Sequence, residues 1–263
     1  MGRIFSIMSG KGGVGKSTLA AALAEFYARQ GKNVTLLDGD TGLRSADLLL
    51  GMQNKVVYDL GDIVSGSCDI AGALVPSPQL ENLTLLAAPQ MLRPSDVKNK
   101  DMGRIITALS EEKDILILDA PAGIGRGLKN LLGAAAEPVI VATPDDVCVR
   151  DAEKLSELLF QREEPKPGIV FNRVDRDLVH KGDMTAPSLL ASSLDLPLLG
   201  ILPESPRVYR ALLRHQSILT CGDKRFVKEI EAIAGRLLGA DVPLPSYQKS
   251  PVRAFFRRGG VSA

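Results

Sequence analysis

The feature that most restricts this chain is a loop of eight residues, Gly10-Lys11-Gly12-Gly13-Val14-Gly15-Lys16-Ser17. It lies directly after a short apolar run, residues 4–8, and directly before a helical stretch, residues 19–29. Gly10, Gly12, Gly13 and Gly15 carry no Cβ, so the backbone can approach a ligand closely and turn its N–H groups inward. The helix that follows adds N–H donors and the positive end of its dipole. This strand–loop–helix junction is a phosphate cradle, with a lysine and a hydroxyl at its end. Lys16 is expected to reach the outer phosphates and Ser17 to ligate Mg²⁺. Thr18 is placed to touch the α-phosphate, and Val14 supplies backbone within the cradle.

Six further apolar runs follow, at residues 34–37, 83–87, 115–118, 139–142, 169–171 and 198–202. Most lack a period of two, so both faces of each strand should be buried, as in a parallel sheet covered on both sides. Residues 147–161, 185–194 and 226–238 read as helices between or after them. The expected fold is α/β: a doubly wound, mostly parallel sheet flanked by helices, with right-handed crossovers. The regular pattern ends near Leu238. Residues 1–239 are therefore read as one domain and 240–263, with Pro243, Pro245 and Pro251, as linker and tail.

Composition narrows the function classes. Hydrophobic residues are 45% of the chain, aromatics only 4%, and Trp is absent, so the core must be aliphatic. With 32 basic against 31 acidic side chains the net charge is +1, which gives no global pull toward nucleic acid. Cys68, Cys148 and Cys221 are scattered and form no C-x-x-C pair, which suits a reducing cytoplasm and argues against a disulfide scaffold or zinc site. His180 and His215 read as loop or surface residues. No run approaches the ~20 apolar residues of a membrane-spanning helix. The first apolar run is too short for a signal peptide. Met1-Gly2 fits a myristoylation pattern on paper, but these residues read better as the start of the first strand.

Acids stand at the ends of two of the apolar runs. Asp38 and Asp40 follow the second, and Asp119 follows residues 115–118. Strand C-termini are where ligands sit in doubly wound sheets. Asp119 is thus expected to hold Mg²⁺ through water, as is Asp38, and Asp40 to orient an attacking water. Asp38 and Asp40 also have a plainer reading, as a helix cap or turn pair.

The second lysine of the loop, Lys11, makes it a deviant P-loop. On this loop and on Asp119-Ala120-Pro121-Ala122-Gly123, the chain resembles the MinD/ParA family of ATPases. The resemblance runs from about Arg3 to Leu238. It implies ATP and Mg²⁺ as ligands and an ATP-bound homodimer in which Lys11 reaches the partner's phosphates. It also implies that Gly123 senses the γ-phosphate through its N–H. It implies that Asn172 contacts adenine, that Arg173 stacks on the base, and that the backbone at Pro203 and Glu204 reads the adenine amino group. Asn172-Arg173-Val174-Asp175 also resembles the guanine motif of related GTPases, with arginine in place of the usual lysine. The segments 40–47, 57–60, 149–151 and 180–184 resemble the cell-division-site branch of the family. That branch implies a slow ATPase peripheral to the inner face of the plasma membrane, a MinC-like inhibitor, and a MinE-like or other topological regulator. Flagellar-number and chromosome-partition ATPases of the same family are the alternatives, and a structural polymer or DNA scaffold is a third kind of reading. Finally, Val252, Phe255 and Phe256 share one face of a short tail helix and Arg253, Arg257 and Arg258 flank it, which is the pattern of an anchor for anionic lipid.

Overall fold

Runs such as Ile-Leu-Ile-Leu become strands because branched side chains pack well on a pleated surface, and they become central strands because no position in them is polar. The computed structural model describes residues 1–40, 44–89 and 97–245. The strands are β1 (Arg3–Met8), β2 (Val34–Asp38), β3 (Leu74–Pro76), β4 (Leu83–Leu86), β5 (Ile115–Asp119), β6 (Glu137–Ala142), β7 (Gly168–Val174) and β8 (Leu198–Pro203). They form one sheet in the order β3-β4-β2-β5-β1-β6-β7-β8. Every pairing is parallel except β3 with β4.

The helices are α1 (Lys16–Arg29), α2 (Ala46–Leu49), α3 (Leu60–Ser65), α4 (Ile70–Ala73), α5 (Asn99–Glu112), α6 (Arg126–Lys129), α7 (Asp146–Gln161), α8 (Arg176–Lys181), α9 (Pro187–Ser193), α10 (Pro206–Leu213) and α11 (Lys224–Leu237). α1 and α11 pack together on one face of the sheet. α5 and α7 run the crossovers in the opposite direction along the sheet, so right-handed connection puts them on the other face. The strand order reverses beside β1, between β5 and β6. This is the topological switch point at which α/β sheets bind ligands.

All seven expected strands form. The eighth, β3, has three residues and ends in Pro76, so it leaves no periodic signal. It is an antiparallel edge strand, where a missing N–H is tolerated. α5 too leaves only a weak mark in the sequence. Only Met102, Ile105, Ile106 and Leu109 of it are apolar and buried, a narrow stripe on a polar helix. His180 lies in α8 and not in a loop, and His215 is exposed in a turn.

Defined contacts continue past Gly239. Arg236 donates from Nε to the Val242 carbonyl (2.9 Å), from Nη1 to Leu199 (2.6 Å) and from Nη2 to Pro243 (2.7 Å). One guanidinium thus fastens residues 242–243 to the end of α11 and to β8. The expected junction at 239 falls just before this clamp. The tail residues Val252, Arg253, Phe255, Phe256, Arg257 and Arg258 lie outside the described residues. Among the described ones, no helix is long and apolar enough to cross a membrane.

Candidate functional site

β1 delivers the loop to the C-terminal end of the strands, and α1 starts at Lys16 with Gly15 as its N-cap. Gly15 has φ 97°, in the left-handed region where a side chain is strained. A Cβ there would also lie 2.1 Å from Nδ2 of Asn172. Gly10 is forced for a different reason. A Cβ on it would stand 2.5 Å from the Asp151 carbonyl of α7, so the start of the loop is pressed against that helix. Gly12 and Gly13 are exposed, and Val14 is buried. Thr18 and Ser17 are half-buried at the helix start.

The two loop lysines differ sharply. Lys16 is only 6% exposed, and its Nζ is 2.6 Å from Oδ1 of Asp119 and 3.2 Å from Oγ of Ser17. Lys11 is exposed on the loop crest. Its charge is felt by Asp145. Burial alone would raise the Asp145 carboxyl, but hydrogen bonds from Thr143 and Cys148, with help from Lys11, hold it below the usual range.

Asp119 and Asp38 stand side by side at the ends of β5 and β2, in register with one another. Both are fully buried. Asp119 is pushed above the ordinary carboxylate range by burial, offset in part by Lys16 and by the Ser17 hydroxyl. Its second oxygen, Oδ2, is buried and has no hydrogen-bond partner among the described residues. Asp38 accepts from the backbone N–H of Asp40 (3.0 Å), Ser45 (3.1 Å) and Ala46 (3.0 Å). Burial first, and then the charge of Asp119, push its carboxyl up to about 6. Asp40 is half-buried and raised by partial burial, against the pull of Lys16.

On the far side of the loop, β7 ends in a bulge where Arg173 adopts φ 57° and points to solvent. Asn172 is buried and donates from Nδ2 to the Val14 carbonyl at 2.8 Å. Asp175 caps α8, accepting from the N–H groups of Asp177 and Leu178. Pro203 is buried at the end of β8, and Glu204 donates its N–H to the Val174 carbonyl at 3.2 Å.

A family model for the CobQ/CobB/MinD/ParA nucleotide binding domain matches residues 5–218, most of the chain. The chain belongs to the MinD/ParA family of P-loop ATPases. It is 37% identical over 245 residues to the septum site-determining protein MinD of Synechocystis, covering 92% of each chain. It is 37% identical over 247 residues to the protein of the same name from Bacillus subtilis, covering 93% of this chain and 92% of the relative. Among solved structures it resembles the MinC:MinD cell division protein complex of Aquifex aeolicus, with a TM-score of 0.84 and 31% identity over 94% of this chain and all of the other.

In this MinD/ParA chain, Lys16, Ser17, Asp38, Asp40 and Asp119 converge at the C-terminal ends of β1, β2 and β5. The residues present fit Mg²⁺: the orphaned Oδ2 of Asp119 is a buried acceptor beside the Ser17 hydroxyl, and Mg²⁺ is held through one or two carboxylates and substrate phosphates. Asp38 fits less well. Its oxygens already serve three backbone donors, so the plainer capping reading describes its contacts. Gly123 is close to the loop, but its N–H donates to the Ser9 carbonyl at 2.8 Å. That bond must open before Gly123 can meet a phosphate.

Ser9 is the residue that the sequence reading passed over. It is buried, its hydroxyl donates to the Lys11 carbonyl at 2.9 Å, and its own carbonyl takes the Gly123 N–H. It therefore links the loop to the segment after β5. The only hint in the sequence was a small polar residue between an apolar run and the first loop glycine.

Proposed function

We propose that this chain is an ATP-dependent dimerising switch of the MinD type, which acts at the inner face of the plasma membrane and recruits partners that place the division septum. The observation that carries the reading is the contrast between the two loop lysines. Lys16 is buried against Asp119, where it serves its own subunit's phosphates. Lys11 projects outward, where it suits the phosphates of a second copy, like a cation supplied in trans.

Within one subunit, the loop backbone from Gly10 to Gly15 receives the phosphates, and Lys16 neutralises their outer oxygens. Ser17 and Asp119 hold Mg²⁺, Asp119 through water, with Asp38 beside them. When bound, that ion neutralises charge developing on the transferred phosphoryl group. Asp40, half-buried at the site's edge, orients the attacking water. Gly123 exchanges its bond to Ser9 for a phosphate oxygen and so reports nucleotide state to the segment after β5. Arg173 stacks on the base, and the backbone at Pro203 and Glu204 meets its exocyclic amine. ATP is favoured over GTP because Asp175, the guanine-reading candidate, is engaged as a helix cap.

Turnover is slow until a partner completes the site. The names of the curated relatives, and the solved MinC:MinD complex, support a MinC-like inhibitor as one partner. A MinE-like or other topological regulator is the proposed activator. Residence is cytoplasmic and peripheral. Val252, Phe255 and Phe256 enter the bilayer interface while Arg253, Arg257 and Arg258 meet anionic headgroups. One short tail binds weakly, and two tails on an ATP dimer bind about 100-fold better through effective concentration.

Light scattering with Mg²⁺ plus ATP or ADP tests the switch. The wild type should dimerise in ATP only. Lys11→Ala should stay monomeric, and Asp40→Ala should dimerise without turning over. A Lys11→Ala variant that dimerises normally would remove the trans role. Sedimentation with anionic vesicles should depend on ATP and be lost when residues 252–263 are deleted.

A further inference from the structure

Lys11 stands among glycines, with Gly10 before it and Gly12 and Gly13 after it. Gly12 and Gly13 are exposed, and Gly13 has φ 80° with open space where a Cβ would stand. Backbone of this composition has many conformations to lose. The crest of the loop is nonetheless tied from below. The Ser9 hydroxyl donates to the Lys11 carbonyl at 2.9 Å, and Ser9 is 1% exposed. Ser9 is itself well anchored. Its carbonyl takes the Gly123 N–H at 2.8 Å, and its neighbour Gly10 is pressed against the Asp151 carbonyl of α7.

The Lys11 carbonyl and the Gly12 N–H belong to one planar peptide unit. Holding the carbonyl fixes that plane, and with it the directions in which the Lys11 side chain can leave the crest. We propose that Ser9 is a positioning residue for Lys11, whose hydroxyl holds the crest in the arrangement from which the lysine reaches the phosphates of a second copy. The glycine-rich crest is then ordered when the chain folds, not when the dimer forms, which favours association. A two-fold dimer contains the bond twice, so removing it acts twice.

The inference rests on the trans role read for Lys11, and the test separates the two. The dimer dissociation constant of the wild type, Ser9→Ala and Ser9→Thr is measured by sedimentation velocity with Mg²⁺ and ATP. The affinity of each monomer for ADP with Mg²⁺ is measured beside it. Ser9→Ala should weaken the dimer about 25-fold, about fivefold for each of the two lost hydrogen bonds. Its affinity for ADP should move by less than about twofold, because the lost bond supports the lysine that serves the other subunit. Ser9→Thr keeps the hydroxyl and should restore most of the dimer. An unchanged dimer constant in Ser9→Ala overturns the proposal. So does a loss of ADP affinity as large as the loss of dimer, which would make Ser9 a support for the whole cradle. A Ser9→Thr variant that melts like the wild type yet dimerises no better than Ser9→Ala overturns it too. Trypsin digestion without nucleotide gives a separate readout of the crest. Lys11 and Lys55 are both exposed. Cleavage after Lys11 should be about fivefold faster in Ser9→Ala, while cleavage after Lys55 stays at the wild-type rate. An unchanged rate at Lys11 would refute the positioning role. If the wild type failed to dimerise in ATP, the trans reading would fall, and the cleavage rates would still decide whether Ser9 holds the crest.

Discussion

Asp119 and Asp38 are the same residue type, at the ends of neighbouring strands, in register and equally buried. They differ only in what satisfies them. Asp38 accepts from three backbone N–H groups, two of them at the start of α2. Asp119 faces a lysine and a serine hydroxyl, and one of its own oxygens has no partner among the described residues. A buried acid that spends three acceptor sites on its own backbone also holds local structure together. One whose acceptor is left unfilled beside a phosphate loop is a group held ready for a ligand.

The comparison breaks most visibly in catalysis. Asp119→Asn should raise the Mg²⁺ concentration needed for half-maximal phosphate release by about 10- to 100-fold. Asp38→Asn should move it less, because the Asp38 oxygens already accept three backbone N–H groups. Equal effects would show that Asp38 is as much a metal group as Asp119.

Stability should sort the pair the other way. Asp38→Ala strips the acceptor from three backbone donors and should cost roughly 3 kcal/mol, counting about 1 kcal/mol for each orphaned group. In a chain of this size that is a fall of about 6–12 °C in melting temperature. A fall of a degree or less would mean that the start of α2 does not depend on Asp38.

A smaller effect lies in pH. The Asp38 carboxyl rises from an ordinary 3.8 to about 6 on folding, chiefly through burial. The folded protein therefore holds this proton more tightly than the unfolded chain does. The stability it contributes is fully present below about pH 4 and is lost as pH rises through about 6. Asp38→Asn does not titrate, so its melting temperature should gain on that of the wild type between pH 4 and pH 7. A difference that shrinks over that range would have the wrong sign. The least effect on stability belongs to Asp40→Asn. This side chain is half-buried and makes no comparable set of backbone bonds among the described residues, so the change should stay within about 0.5 kcal/mol in thermal melts, even where turnover is lost.

Much of the site was legible because its signals are local. The glycines, Lys16 and Ser17 are neighbours in sequence, and a strand followed by a helix is visible as two hydrophobic periods. Asp119 was legible as the polar end of an unbroken apolar run. The base side was less so. Asn172 carries no local mark of its bond to Val14, 158 positions away. Arg173 was visible as a charge, but not as a left-handed residue at a bulge.

By itself the sequence determined which segments are strands, that most are buried on both faces, and that one loop is built for phosphate. These follow from side-chain chemistry and spacing, which do not require knowing what lies opposite. Tertiary structure alone decided that Asp38 accepts from the start of α2 while Asp119 keeps an oxygen without a partner among the described residues, that Ser9 ties Gly123 to the loop, and that Asn172 grips Val14. Hydrogen-bond satisfaction of a buried group is a property of its neighbours in space. Only the packed sheet brings those neighbours together.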